Sequence, residues 1–78
     1  MARSENEKAF LRLVAQSFGV DQNLISLEQT RDQLDAWDSL NHIMLFMALE
    51  REYGVKFSTE DLEEYDSLGQ IYTRLNLG

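Results

Sequence analysis

The strongest constraint on the fold is an unbroken run of residues from Ser39 to Tyr53 that contains neither glycine nor proline. Gly54 follows it directly, and helices commonly end at a glycine because glycine adopts the left-handed backbone conformation without steric cost. At the other end, the carboxylate of Asp38 can accept a hydrogen bond from an N–H group of the first turn. The pattern therefore predicts a long helix over Ser39 to Tyr53.

A first helix is predicted over Glu5 to Phe18. Ser4 and Glu7 have the spacing of a capping box, and Gly19 follows the segment as a stop signal. The apolar residues of this segment recur at helical spacing, and they are Phe10, Leu11, Val14, Ala15 and Phe18. This spacing predicts an amphipathic helix with one buried side.

The last third of the chain predicts two shorter helices. Ser58 or Thr59 can cap a short acidic helix over Glu60 to Glu64. Ser67 and Gln70 repeat the capping-box spacing in front of a final helix. The apolar stripe of the final helix consists of Leu68, Ile71, Tyr72 and Leu75.

The segment from Val20 to Trp37 shows no sustained helical or strand period. We predict a long loop there, anchored by its own hydrophobic side chains, with room for a short helical turn. Such a length is uncommon in compact domains unless the loop has a function. The predicted fold is all-α: a single domain over residues 1–78, built as a small four-helix bundle with a long loop between helices 1 and 2 and a short third helix.

The composition argues against several classes of function. With 14 acidic and 7 basic side chains, the net charge is −7, which would repel nucleic acid phosphates and anionic lipid headgroups. The chain has no cysteine, so neither a disulfide nor a thiolate metal site can form. No apolar run has the length of a signal-peptide core or a membrane span. We expect a monomeric, cytoplasmic protein that binds basic protein surfaces and has no stable membrane insertion.

The long helix has more apolar surface than a small bundle needs to bury. At about 100° per residue, one stripe consists of Leu45, Phe46, Leu49 and Tyr53, and we assign it to the core. A second group, here called the apolar patch, lies on a different side and consists of Leu40, Ile43, Met44 and Met47. Two interpretations are open: the helix is buried nearly all round, or the apolar patch is exposed and binds partner proteins.

The motif Leu34-Asp35-Ala36-Trp37-Asp38-Ser39-Leu40, followed by a long helix that ends in Glu52-Tyr53-Gly54-Val55, resembles the acyl carrier protein family. The likeness extends over nearly the whole chain. In that family the serine of the Asp-Ser-Leu motif receives 4'-phosphopantetheine from coenzyme A through a separate transferase, and by position this serine is Ser39. A second Asp-Ser-Leu copy opens the last helix, where we expect Ser67 to be a structural cap.

The resemblance implies a carrier that is not itself an enzyme. The arm would hold cargo as a thioester on its terminal thiol, and Ser39 would supply only the oxygen of a phosphodiester. The implied partners are a phosphopantetheinyl transferase, an acyl- or aminoacyl-loading ligase, and synthases or transferases with basic docking patches. The residues that match the family's docking face are Asp35, Asp38, Glu50 and Glu52, together with the apolar patch. The residues implied to line an interior acyl-chain cavity are Leu45, Phe46 and Leu49.

Several positions depart from the pattern of fatty-acid carriers. Trp37 stands in the usually glycine-containing approach to the serine, Met44 stands where an acidic residue is usual, and Asn41 replaces a frequent aspartate. Arg51 also interrupts the acidic run. The Trp-Asp-Ser approach is similar to that of some free-standing carriers, including D-alanyl carriers, whereas the peptidyl-carrier Gly-Gly signature is absent. We predict a specialised carrier that serves a pathway such as polyketide, aminoacyl or envelope-modification chemistry.

Other interpretations of the same residues lead to different functions. His42 lies about one helical turn beyond Ser39, so a serine nucleophile activated by histidine is conceivable, but the projection turns His42 toward the core stripe and favours a packed structural side chain. The acidic clusters lack the spacing of an EF-hand loop, so we expect no dedicated metal site. Trp37 could shield the arm, anchor the loop or contact partners. The strongest alternative is a helical docking module without a prosthetic group, which binds a basic partner through the apolar patch.

Overall fold

The computed structural model describes residues 5–76, and the regular structure within them is helical. The four α-helices are α1 (Glu5–Phe18), α2 (Ser39–Tyr53), α3 (Thr59–Glu64) and α4 (Leu68–Arg74). Two 3-10 turns, Gln22–Leu24 and Arg31–Gln33, lie in the loop between α1 and α2. The predicted four-helix bundle, with its long first loop and short third helix, is confirmed. The predicted capping partner Ser4 lies outside the described residues.

The helix ends follow the capping chemistry that the sequence predicts. The Oδ1 atom of Asp38 accepts a hydrogen bond from the N–H of Asn41 at 2.8 Å, and Gly54 ends α2 in the left-handed conformation at φ 66°. Helix α3 begins one residue earlier than predicted because Ser58 is its cap. The hydroxyl of Ser58 accepts from the N–H of Asp61 at 3.1 Å, and the Asp61 carboxylate accepts from the N–H of Ser58 at 2.9 Å.

One hydrophobic core joins helices α1, α2 and α4 with the long loop. The buried apolar residues of the helices are Phe10, Leu11, Val14, Ala15, Phe18, Leu45, Phe46, Leu49, Leu68, Ile71 and Tyr72, and Leu75 follows α4. The loop contributes Ile25 and Trp37, each only 2% exposed. Because these two side chains are buried with the helices, the loop is anchored to the bundle at both of its halves.

Backbone hydrogen bonds fasten the long loop to the start of α4. The N–H of Arg31 donates to the carbonyl of Asp66 at 2.7 Å, and the N–H of Leu68 donates to the carbonyl of Gln29 at 3.2 Å. The N–H of Gly69 donates to the carbonyl of Leu27 at 2.9 Å. A Cβ atom on residue 69 would lie 2.9 Å from that same Leu27 oxygen, so glycine permits this close approach. The loop therefore reaches α2 from a fixed position on α4.

Candidate functional site

Ser39 is the first residue of α2 and is exposed. The cap of this helix is its neighbour Asp38, whose carboxylate bonds the N–H of Asn41 at 2.8 Å. Ser39 therefore does not have to cap the helix, and its hydroxyl projects from the first turn at the surface. An exposed hydroxyl at this position is sterically open to modification by another protein.

Ser67, in the second Asp-Ser-Leu copy, has a different local structure. It is itself the cap of α4, and its hydroxyl accepts a hydrogen bond from the N–H of Gln70 at 3.3 Å. The side-chain oxygen of Gln70 in turn accepts from the N–H of Ser67 at 3.2 Å, which completes the predicted capping box. Thus the aspartate caps the helix in the first copy and the serine caps it in the second.

A basic side chain contacts Ser39 from the long loop. The Nη2 atom of Arg31 donates to Oγ of Ser39 at 3.3 Å, and its Nε atom donates to the carbonyl of Trp37 at 3.4 Å. A surface groove adjoins this contact, and its lining residues are Thr30, Arg31, Asp32, Trp37, Asp38, Ser39 and Asp66. Sequence reasoning missed Arg31, because no local pattern relates a residue of an irregular loop to a helix start eight positions later.

Trp37 and His42 form a buried hydrogen-bonded pair behind Ser39. The indole N–H of Trp37 donates to Nδ1 of His42 at 2.8 Å, so Nδ1 carries no proton, and Nε2 donates to the carbonyl of Leu62 at 2.6 Å. Burial lowers the pKa of His42; the bond to Leu62 acts against this, and the positive charge of Arg31 adds to it. Both ring nitrogens are engaged away from Ser39, which gives His42 the packed structural role predicted for it.

The burial of Trp37 favours one of its three candidate roles. Its side chain is 2% exposed and lies beside the rings of Phe18 and His42, with centroid separations of 5.7 Å and 5.9 Å. A side chain buried in this way cannot offer its face to a partner protein. In this structure Trp37 anchors the end of the long loop and thereby positions Asp38 and Ser39.

The apolar patch on α2 is exposed. Leu40 is 68% exposed, and the other three members, Ile43, Met44 and Met47, are each about half exposed. In the opposite stripe, Leu45, Phe46 and Leu49 are at most 2% exposed, and Tyr53 is half-buried against the core. The interpretation that α2 is buried nearly all round is therefore wrong. A contiguous run of exposed large apolar side chains on a small protein is typical of an interaction surface.

The predicted acidic residues have unequal surroundings. Asp35, Asp38 and Glu52 are exposed. Glu50 is only half-buried, but its Oε2 atom accepts a hydrogen bond from the N–H of Phe57 at 2.8 Å, which holds its carboxylate on the segment between α2 and α3. Asp38 and Glu50 therefore each have a structural contact in addition to any surface role, since the Asp38 carboxylate caps α2.

The three residues predicted to line an acyl cavity are packed inside the core. The ring of Phe46 lies 4.8 Å from that of Phe57 and 4.7 Å from that of His42, measured between centroids. The ring of Tyr65 contacts it edge-on at 6.3 Å. Sheltering an acyl chain beside Leu45, Phe46 and Leu49 would therefore require these aromatic rings to move apart.

Two features are absent from the part of the chain that the structure describes, residues 5–76. Within it, no three or more histidine, cysteine, aspartate or glutamate side chains come together in an arrangement able to hold a metal ion. None of the helices described there has both the length and the apolar character needed to cross a bilayer.

The residues around Ser39 fit a covalently attached phosphorylated group. Ser39 offers an exposed hydroxyl, and Arg31 offers a guanidinium that already contacts it. The family described as the phosphopantetheine attachment site matches residues 8–75 of this chain. Domains of that family carry 4'-phosphopantetheine as a covalently bound prosthetic group and are not themselves catalysts. Because the match spans nearly all of the 78 residues, the chain belongs to the phosphopantetheine attachment site family and has an acyl carrier protein-like domain.

Proposed function

We propose that Ser39 is the attachment site and that the protein carries acyl or aminoacyl groups between biosynthetic enzymes. The observation that carries this proposal is the contrast between the two Asp-Ser-Leu copies. Ser67 uses its hydroxyl to cap α4, whereas the cap of α2 is Asp38, which leaves the hydroxyl of Ser39 exposed. A modification at Ser39 costs the fold no cap, whereas one at Ser67 would remove a hydrogen bond of about 1 kcal/mol.

The proposed modification is a phosphoryl transfer that a separate transferase catalyses. Oγ of Ser39 forms a bond to the phosphorus that carries the pantetheine portion of coenzyme A, and the bond from that phosphorus to adenosine 3',5'-bisphosphate breaks. The serine hydroxyl loses its proton, and the bisphosphate leaves. When bound, the prosthetic group supplies a terminal thiol on which cargo is held as a thioester.

We further propose that partner enzymes dock on the apolar patch and on the acidic residues next to it. Four exposed apolar side chains follow Ser39 along α2, and Asp35 and Asp38 are exposed just before it. Basic partner surfaces would be steered to these carboxylates, while the methionines adapt to surfaces of different shape. Such encounters are fast and reversible, which suits a carrier that visits a transferase, a loading ligase and synthases in turn. Glu50 would contribute less, because it is half-buried whereas Asp35 and Asp38 are exposed.

For the cargo, we propose a specialised carrier in place of the housekeeping carrier of fatty-acid synthesis. The buried pair of Trp37 and His42 packs against Phe18 and Phe46, and aromatic rings surround Phe46 in the core. This packing favours short or polar cargo that remains outside the bundle; a long acyl chain lying beside Leu45, Phe46 and Leu49 would have to displace it. We also infer that residues 1–78 form one carrier domain that performs no catalysis of its own.

The test is intact-protein mass spectrometry after incubation with coenzyme A, magnesium and a promiscuous phosphopantetheinyl transferase. The wild-type chain should gain one phosphopantetheinyl group. Ser39→Ala should gain none, and the matched control Ser67→Ala should gain one. If Ser39→Ala is still modified and Ser67→Ala is not, the assignment of the two serines is reversed.

A docking module without a prosthetic group is the second candidate, and the exposure of the apolar patch supports it as well. It differs from the carrier in needing no chemistry at Ser39. A well-folded wild-type chain that gains no mass with the transferase, yet binds a basic partner in a way that Met44→Asp abolishes, would favour this alternative.

A further inference from the structure

We propose that Arg31 is a positioning residue for the prosthetic group: its guanidinium binds the phosphodiester formed at Ser39 and directs the start of the arm into the adjoining groove. This inference rests on the proposed attachment at Ser39 and goes beyond it, because it assigns a residue of the long loop to the phosphate. Three features of the structure support this role: the contacts that hold Arg31, the charges around it and the position of the groove.

Arg31 is fixed at its backbone and along its side chain. Its N–H donates to the carbonyl of Asp66 at 2.7 Å, which ties the residue to the start of α4. Its Nε atom donates to the carbonyl of Trp37 at 3.4 Å, and Nη2 points to Oγ of Ser39 at 3.3 Å. The bond from Nε to Trp37 does not involve the modified atom, so the guanidinium remains partly held and loses less freedom when it binds an anion, which strengthens that binding.

The charges in the groove make Arg31 the group on which a phosphate would depend. It is the one basic side chain among the groove's lining residues, whereas Asp32, Asp38 and Asp66 supply carboxylates. A phosphodiester carries one negative charge and would be repelled by these three side chains. The guanidinium offsets that repulsion and can donate two hydrogen bonds to the same phosphate.

Modification introduces a negative charge two bonds away from the atom that Arg31 now contacts. In the unmodified protein, Oγ of Ser39 accepts from Arg31 as a neutral hydroxyl. In the phosphodiester, Oγ becomes a bridging ester oxygen, and the charge lies on the non-bridging oxygens of the attached phosphorus. A guanidinium 3.3 Å from Oγ is within reach of those oxygens after a side-chain adjustment, and the charged bond is the stronger of the two.

This placement would separate the arm from the apolar patch. The groove is lined by the long loop, by the start of α2 and by Asp66, and none of its lining residues belongs to the apolar patch. An arm whose phosphate is bound to Arg31 would start along the loop side of Ser39. The apolar patch would then stay uncovered for partner enzymes while the arm is attached.

The first experiment compares the unmodified and modified wild-type protein by NMR. We expect the Nε–Hε signal of Arg31 to shift on modification, together with the backbone amide signals of Thr30 and Asp66, while the Nε–Hε signal of Arg51 stays in place. Arg51 is the matched control because it is an exposed arginine at the other end of α2. An unchanged Arg31 signal in protein that mass spectrometry shows to be fully modified would overturn the proposal.

The second experiment measures the effect of modification on the unfolding equilibrium constant. In the wild type, modification should lower this constant by about two- to fivefold, the range of a well-oriented exposed ion pair. In Arg31→Gln the decrease should vanish or reverse, in Arg31→Lys it should be partly kept, and in Arg51→Gln it should match the wild type. Equal effects of modification in Arg31→Gln and the wild type would refute the inference. No mass gain on Ser39 would instead refute the proposed function.

Discussion

Substitution of Gly69 by alanine tests whether the long loop depends on its close approach to α4. The added Cβ would lie 2.9 Å from the carbonyl oxygen of Leu27, closer than side-chain carbons approach backbone oxygens. The same oxygen accepts a hydrogen bond from the N–H of residue 69 at 2.9 Å, so the loop backbone at Leu27 cannot move away from the added Cβ without stretching this bond. The bond from Leu68 to Gln29 belongs to the same contact and would be strained with it.

Two effects of opposite sign decide the size of the change. Loss or stretching of two hydrogen bonds costs about 2–3 kcal/mol when part of the cost is an unsatisfied donor. Alanine is favoured over glycine in a helix by up to about 1 kcal/mol, and by less in a first turn. We therefore expect Gly69→Ala to lower the free energy of unfolding by about 1–2 kcal/mol, or the melting temperature by about 4–16 °C for a domain of this size.

The assay is urea unfolding followed by circular dichroism, with Thr73→Ala as the control. Thr73 is exposed on the same helix, so its replacement adds helix propensity without a clash and should raise stability by a few tenths of a kcal/mol. Amide signals from Leu27 to Arg31 should shift in Gly69→Ala and remain in place in Thr73→Ala. If Gly69→Ala is as stable as the wild type, the loop yields at no cost and the reasoning about its fixed position fails.

Three further predictions concern the pH dependence, the end of α2 and the apolar patch. Burial lowers the pKa of His42 below the usual 6.5, so as the pH falls the unfolded chain takes up a proton before the folded chain does. The contribution of neutral His42 to stability is therefore complete above pH 6.5 and is lost as the pH falls toward the lowered pKa. In urea titrations, the free energies of unfolding of the wild type and His42→Gln should become more similar in acid. Gly54→Ala should lower the free energy of unfolding by about 1 kcal/mol, because φ of residue 54 is 66° and the added Cβ would contact no neighbouring atom. An unchanged melting temperature in thermal unfolding would contradict the left-handed cap. Met44→Ser should change stability by less than about 0.5 kcal/mol but lower kcat/KM of the transferase about tenfold, and equal kinetics would remove Met44 from the docking surface.

The helices and their ends were predictable because they depend on local chemistry. Asp38 and Gly54 bound α2 by a side-chain cap and a left-handed glycine, both of which are visible in the sequence. Helical geometry also separated the apolar patch from the core stripe by rotation about one axis. It left open whether the patch is buried, and the structure shows that the patch is exposed.

The part of the candidate site that depends on the long loop could not be predicted. Arg31 reaches Ser39 only because its backbone bonds the carbonyl of Asp66, a residue distant in sequence and without a complementary pattern. Likewise, from the sequence alone Gly69 is only a residue of low helix propensity in the first turn of α4. The close approach of Leu27, which requires a glycine there, is visible only in three dimensions. Backbone-to-backbone contacts leave little trace in side-chain periodicity, so they escape sequence analysis.

The hydrogen bonds between the long loop and α4 also bear on the rate at which the folded state is lost. They place Thr30 opposite Ser67, so they close a segment that contains all of α2 and α3. The entropy cost of closing this segment is offset by only a few hydrogen bonds, which favours late formation, after the hydrophobic contact of α1 with α2. Interactions absent from the transition state affect unfolding more than folding. We therefore expect Gly69→Ala to speed unfolding in stopped-flow experiments while leaving the folding rate nearly unchanged, so that this contact sets the lifetime of the native protein.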